Sequence, residues 1–178
     1  MADAPETLLA QAWQARRENR LADAERILLE AVELCRAAGG VPLANALTAL
    51  GQIERDRGRR DAARQYYEEA VAIHRVESDP LKVAHTVRHL GDVNREDGRL
   101  DLAEPCYGEA LALYRADSRT RPLDLANTLR GYAILKERTG DHDAARRLWE
   151  EAGQLYAAVN VQAGVDESSA TLARLARP

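Results

Sequence analysis

Phenylalanine is absent from this sequence, methionine occurs once, and aromatic residues make up only 4% of it. A core without many large flat rings has to be assembled from Leu, Ala, Val and Ile, which suit close helix packing and point to an all-α fold. Cysteine is as scarce. Cys35 and Cys106 show no C-x-x-C spacing and no framework of pairs, which excludes a disulfide-stapled scaffold and fits a reducing compartment. No run approaches the roughly 18 apolar residues of a membrane span, and the N-terminus lacks the basic and apolar stretches of a signal peptide. The expected location is cytoplasmic.

Charge of one sign is missing too. The 25 Lys+Arg are spread among 29 Asp+Glu for a net charge of −4, whereas a general nucleic-acid binder is basic. Lysine occurs only as Lys82 and Lys136, a bias that reflects a GC-rich, bacterial genome rather than a mechanism. There is no glycine-rich phosphate loop, no G-x-S-x-G elbow and no Cys/His nucleophile pair. His85, His89 and Asp92 share one helical face at i, i+4, i+7, but this H-x-x-x-H lacks the motif Glu of a metal site. The chain is expected to be no enzyme and to use no cofactor or metal.

What is present is a repeat. Gly58, Asp61 and Ala63 recur as Gly98, Asp101 and Ala103, and again as Gly140, Asp143 and Ala145, at offsets of 40 and 42 residues. Four residues past each Ala stands Tyr67, Tyr107 or Trp149, and three further on Ala70, Ala110 or Ala152. A degenerate first copy carries Ala24, Leu28 and Ala31. Upstream, Leu47, Val87 and Leu129 share one place, Leu50, Leu90 and Tyr132 a second, and Gly51, Gly91 and Ala133 a third.

The spacing predicts two helices per unit, one striped by Leu47, Leu50, Gly51 and Glu54, the other by Ala63, Tyr67, Ala70 and Val71. Gly51 and Gly91 let the second helix approach the first. Gly58, Gly98 and Gly140 supply the positive φ that ends the first helix. Asp61, Asp101 and Asp143 are expected as N-caps of the second, Asp101 forming a capping box with Glu104. Pro42, Pro80 and Pro122 restart helices between units, and Pro105 is expected near a first turn.

The expected fold is all-α: a right-handed superhelix of antiparallel helical hairpins with about nine helices. It forms a single domain over 1–178, with units at about 5–40, 42–79, 81–120 and 123–159. A closing helix at about 162–176 covers the last apolar face.

These Gly/Ala/aromatic positions resemble the tetratricopeptide repeat family from Thr7 to about Val159, in the longer, kinesin-light-chain-like variety. HEAT and armadillo arrays lack this pattern. The resemblance implies a superhelix whose first helices line a concave groove. Carried onto this register, the groove residues are Glu6, Leu9, Trp13 and Arg16, then Asn45, Thr48, Gln52 and Arg55. The third unit gives His85, Arg88, His89, Asp92 and Arg95, and the fourth Asn127, Arg130, Ile134 and Glu137.

Asn45, His85 and Asn127 would form a ladder able to bond a peptide backbone. Arg55 and Arg95 share one place and Arg88 and Arg130 another, a row of guanidiniums against few acids, suited to carboxylates. The Asn pair of kinesin-light-chain repeats is replaced by Thr48-Ala49, Arg88-His89 and Arg130-Gly131. The Lys/Asn places of a two-carboxylate chaperone clamp hold Leu9, Trp13, Thr48 and Ala49, so neither specificity carries over. The expectation is a non-enzymatic protein-protein interaction scaffold that takes an extended peptide or partner protein, acidic in part, with no nucleic-acid or membrane partner. The alternatives are a homo-oligomer or assembly module, and the sensor part of a larger regulatory system.

Overall fold

The computed structural model describes residues 4–37 and 39–177; the expected domain ends, 1 and 178, lie outside the described residues. Nine helices and no strand are found among those described: α1 (Pro5–Arg17), α2 (Leu21–Arg36), α3 (Gly40–Asp56), α4 (Arg60–Val76), α5 (Pro80–Glu96), α6 (Leu100–Ala116), α7 (Pro122–Arg138), α8 (His142–Ala158) and α9 (Gln162–Leu175). Each helix packs on the next, and α1, α3, α5 and α7 also touch one another in sequence. The odd-numbered helices therefore form the inner layer of a solenoid and the even-numbered ones its outer layer. Among the described residues no helix is long and apolar enough to cross a membrane.

The hairpin turns follow from backbone chemistry. Gly58, Gly98 and Gly140 have φ of 76°, 77° and 81°, and Asn19 takes the same left-handed place in the first hairpin at 58°. At each, two backbone bonds close the helix end, as in Gly58 N–H to Arg55 O at 2.9 Å and Arg59 N–H to Glu54 O at 2.8 Å.

This tight closure corrects the expected caps. The residue just past the glycine is already the N-cap of the next helix: Arg59, Arg99 and Asp141. Asp61, Asp101 and Asp143 fall inside the first turn, where they favour the helix dipole. Asp61 and Asp143 also pair there with Arg64 and Arg146. Glu104 closes no capping box; it accepts from Tyr132 at 3.2 Å and from Lys136 at 2.5 Å. Pro105 is the sixth residue of α6 rather than part of its first turn, and it faces solvent.

The core runs between the two layers. Ala63, Ala103, Ala145, Tyr67, Tyr107 and Trp149 are essentially inaccessible. A Cβ at Gly51 would lie 2.7 Å from Tyr67 Cε1, and one at Gly91 3.1 Å from Cys106 Cβ. The glycines thus set the helix separation that lets the aromatics in.

Candidate functional site

The polar face of the inner layer is centred on α5. Asp92 is its hub: Tyr107 donates its hydroxyl to Oδ1 at 2.7 Å, while Arg88 and Arg55 donate to Oδ2 at 3.2 and 3.3 Å. Arg95 donates to the Tyr107 oxygen at 3.0 Å and lies 3.8 Å from Asp92. Arg55 is also held by Glu96, with Nε 3.0 Å from Oε2.

His89 is flanked by Tyr67, stacked at 5.5 Å between ring centroids, and by the edge of His85 at 4.7 Å. Arg88 donates to His89 Nε2 at 2.9 Å, so the ring proton resides on Nδ1, a buried donor with no acceptor among the described residues. Gln52 Nε2 stands 3.2 Å from the same Nε2. Burial, reinforced by Arg88, lowers both histidines, His85 to about 4 and His89 well below its ordinary value, so both are neutral at physiological pH. No group of three His, Cys, Asp and Glu able to hold a metal ion occurs among the described residues.

Of the expected groove residues, Gln52, Arg55, His85, Arg88, His89, Asp92 and Arg95 come together in this network. Trp13 and Asn45 join it through a cleft of about 250 Å³ that Gln52, His85 and Lys82 also line. Trp13 carries Arg16 over its ring at 5.3 Å from the centroid. Asn127 and Arg130 stand apart. Asn127 Oδ1 accepts from Tyr156 at 2.8 Å, and Arg130 grips Glu167 of α9 with bonds of 2.6 and 2.7 Å.

The count of arginines against few acids is corrected by the fold. Arg16 pairs with Asp56, Arg55 with Glu96 and Asp92, Arg88 with Asp92, and Arg130 with Glu167. Most of these acids sit one unit further along, where no single-helix reading finds them.

Three features escaped the sequence. Thr86, Thr128 and Ser168 share one buried place on α5, α7 and α9 and donate to the carbonyl one turn back, at 3.0, 2.8 and 2.8 Å. A Cβ at Gly131 would lie 2.7 Å from Tyr107 Cε1 and 3.0 Å from Asp92 Oδ1, so this glycine makes room for the Tyr107–Asp92 bond. Cys35, His74, Tyr114 and Tyr156 occupy one place in α2, α4, α6 and α8, and all are buried. The repeat register would have found this last row; nothing local marks the other two.

The sequence model of the tetratricopeptide repeat matches residues 5–75 and 82–158. A search of the curated proteins finds no match. Among solved structures, BtubC (BKLC) from P. vanneervenii is similar at 19% identity and a TM-score of 0.73, over 96% of this chain and 78% of that one. A Podosopora anserina protein of nearly identical TPR-like repeats, described as a putative kinesin light chain, is similar at 14% identity and 0.74, over 99% and 100% of the two chains. A single-substitution variant of that protein gives 13% and 0.75, over 98% and 97%. At these identities the likeness establishes the fold.

Proposed function

Because the chain belongs to the tetratricopeptide repeat family, we propose that it is a non-enzymatic scaffold whose inner face holds an extended segment of a partner protein, one with acidic side chains. The observation that carries this is a surplus of donors. Arg88 Nε, His89 Nδ1 and the Tyr114 hydroxyl are buried around α5 without a hydrogen-bond partner among the described residues. Asp92, the acid at the centre of that face, is already shared among two guanidiniums and a phenol. Buried donors left unmade are unfavourable, and an extended chain brings carbonyls and carboxylates to them. Trp13 offers an apolar wall at one end of the same trough.

The test is affinity capture from a lysate of the source organism. Arg88→Glu is a poor probe, since it sets a second carboxylate against Asp92. Asn45→Ala/His85→Ala removes two half-buried groove groups without breaking the Asp92 network. It should lose the partners that the wild type retains, and identical partners on both would refute the groove assignment.

A further inference from the structure

We propose that the cleft between the start of α5, the end of α6 and the start of α7 is a carboxylate-binding subsite, with the Tyr114 hydroxyl and the Lys82 ammonium as its donors. This rests on the groove reading above and names one place and one chemistry within it.

The argument begins with the row Cys35, His74, Tyr114 and Tyr156. In the fourth unit the row's side chain is satisfied from the inner layer: Tyr156 donates to Asn127 Oδ1 at 2.8 Å. In the third unit the place of Asn127 is taken by His85, and the hydroxyl of Tyr114, itself 3% exposed, has no hydrogen-bond partner among the described residues. Burial pushes this phenol up to about 12 against the pull of nearby Arg88, so it keeps its proton at neutral pH. A guanidinium only donates, and Arg88 therefore cannot accept that proton. Tyr114 and His85 line a cleft of about 360 Å³, which meets the Trp13 trough at Lys82 and His85.

The charges in this cleft are otherwise settled. Arg119 holds Asp117 at 2.6 Å, and Arg121 holds Asp124 at 2.7 Å. Asp79 Oδ1 caps α5 by accepting from Leu81 N–H at 3.1 Å and Lys82 N–H at 3.4 Å. Lys82 is left: among the described residues its ammonium has no ion-pair or hydrogen-bond partner. With Asp79 counted, the formal charges around the cleft balance, and what it leaves open is two donors, a buried hydroxyl and an exposed ammonium. A carboxylate, with two acceptor oxygens and one negative charge, matches both.

Two random peptide libraries, one with blocked and one with free C-termini, are the probe, selected on the whole chain. Peptides recovered by the wild type should share an Asp or Glu whose amide counterpart binds about tenfold more weakly or worse. If the shared group is instead the free C-terminus, blocking it should have that effect, and the site then takes that source of the same carboxylate.

Tyr114→Phe and Lys82→Ala should each erase the acid–amide difference. Tyr114→Phe removes a hydroxyl that has no partner, so its melting temperature should stay at or above that of the wild type, whereas Tyr156→Phe should lower it. His85→Asn gives Tyr114 the acceptor that Asn127 gives Tyr156, and it should also abolish the acid preference. An acid–amide difference that survives both Tyr114→Phe and Lys82→Ala overturns this subsite and leaves the groove reading standing. Failure of both libraries to yield any binding peptide removes both readings.

Discussion

Asp92→Asn tests the groove's architecture most directly. The side chain keeps its shape, and its carbonyl oxygen can still accept from Tyr107, now 2.7 Å from Oδ1. Its new amide, however, turns two N–H donors toward Arg55 and Arg88, which at present donate to Oδ2 at 3.3 and 3.2 Å. Glu96 is left as the acid beside Arg55 and Arg95. Removing one partner of a buried ion pair costs about 3–5 kcal/mol. Because Glu96 keeps part of its hold on Arg55, the lower end applies here. At about 2–4 °C per kcal/mol for a domain of this size, the melting temperature should fall by about 6–12 °C.

The loss should also be local, since each unit of a solenoid rests on its neighbours alone. Thermal melts followed by helical circular dichroism measure the shift. Tryptophan fluorescence follows the two ends separately, Trp13 lying in α1 and Trp149 in α8. Adding Arg88→Met to the Asp92→Asn chain removes one of the stranded cations and should recover part of the loss. A single variant that melts within about 2 °C of the wild type, against the 3–5 kcal/mol scale of such pairs, or a double variant worse than the single, would refute the reasoning.

Acid should destabilise the fold through its buried histidines. His85 titrates near 4 in the folded chain and near 6.5 when unfolded, so the unfolded chain binds the proton first as pH falls. Stability is then full above pH 6.5, declines between 6.5 and 4, and loses nothing more through His85 below about 4. Unfolding free energies measured across this range should show that slope, reduced in His85→Asn; an equal slope in both chains sinks the assignment. Light scattering should give a concentration-independent monomer. The outer-layer ladder Arg36–Glu69, Arg75–Glu109 and Arg115–Glu151 ends at Ala157, where the next arginine would stand. A mass that rises with concentration would favour self-association instead.

The packing of each hairpin is legible because its information lies within one repeat. Gly51 faces Tyr67 sixteen residues later, in the order the sequence presents them, and the same small-against-large match recurs down the chain. The caps are misread for a physical reason: the glycine turn is too short to leave two linker residues, so the expected Asp caps slide into the first turn. The register places the expected groove residues on the inner helices, yet it does not give their charge balance. The pairs that set it, Arg16–Asp56, Arg55–Glu96 and Arg130–Glu167, cross from one inner helix to the next.

Why the network centres on the third unit follows from the register. The place of Asp92 holds Gln52 in the unit before and Ile134 in the unit after, so only α5 can supply a buried carboxylate there. Arg88 and Arg130 share a place but not a partner: Arg88 meets Asp92 one turn along its own helix, whereas Arg130, with Ile134 there instead, reaches across to Glu167. Gly131 then decides how tightly the centre closes. The equivalent residues are Ala49 and His89, and any Cβ at 131 would crowd both Tyr107 and Asp92. A repeat can be inferred from what its copies share. The inner face of this solenoid is built from what they do not share: one acid, one glycine, and one tyrosine whose acceptor the third unit omits.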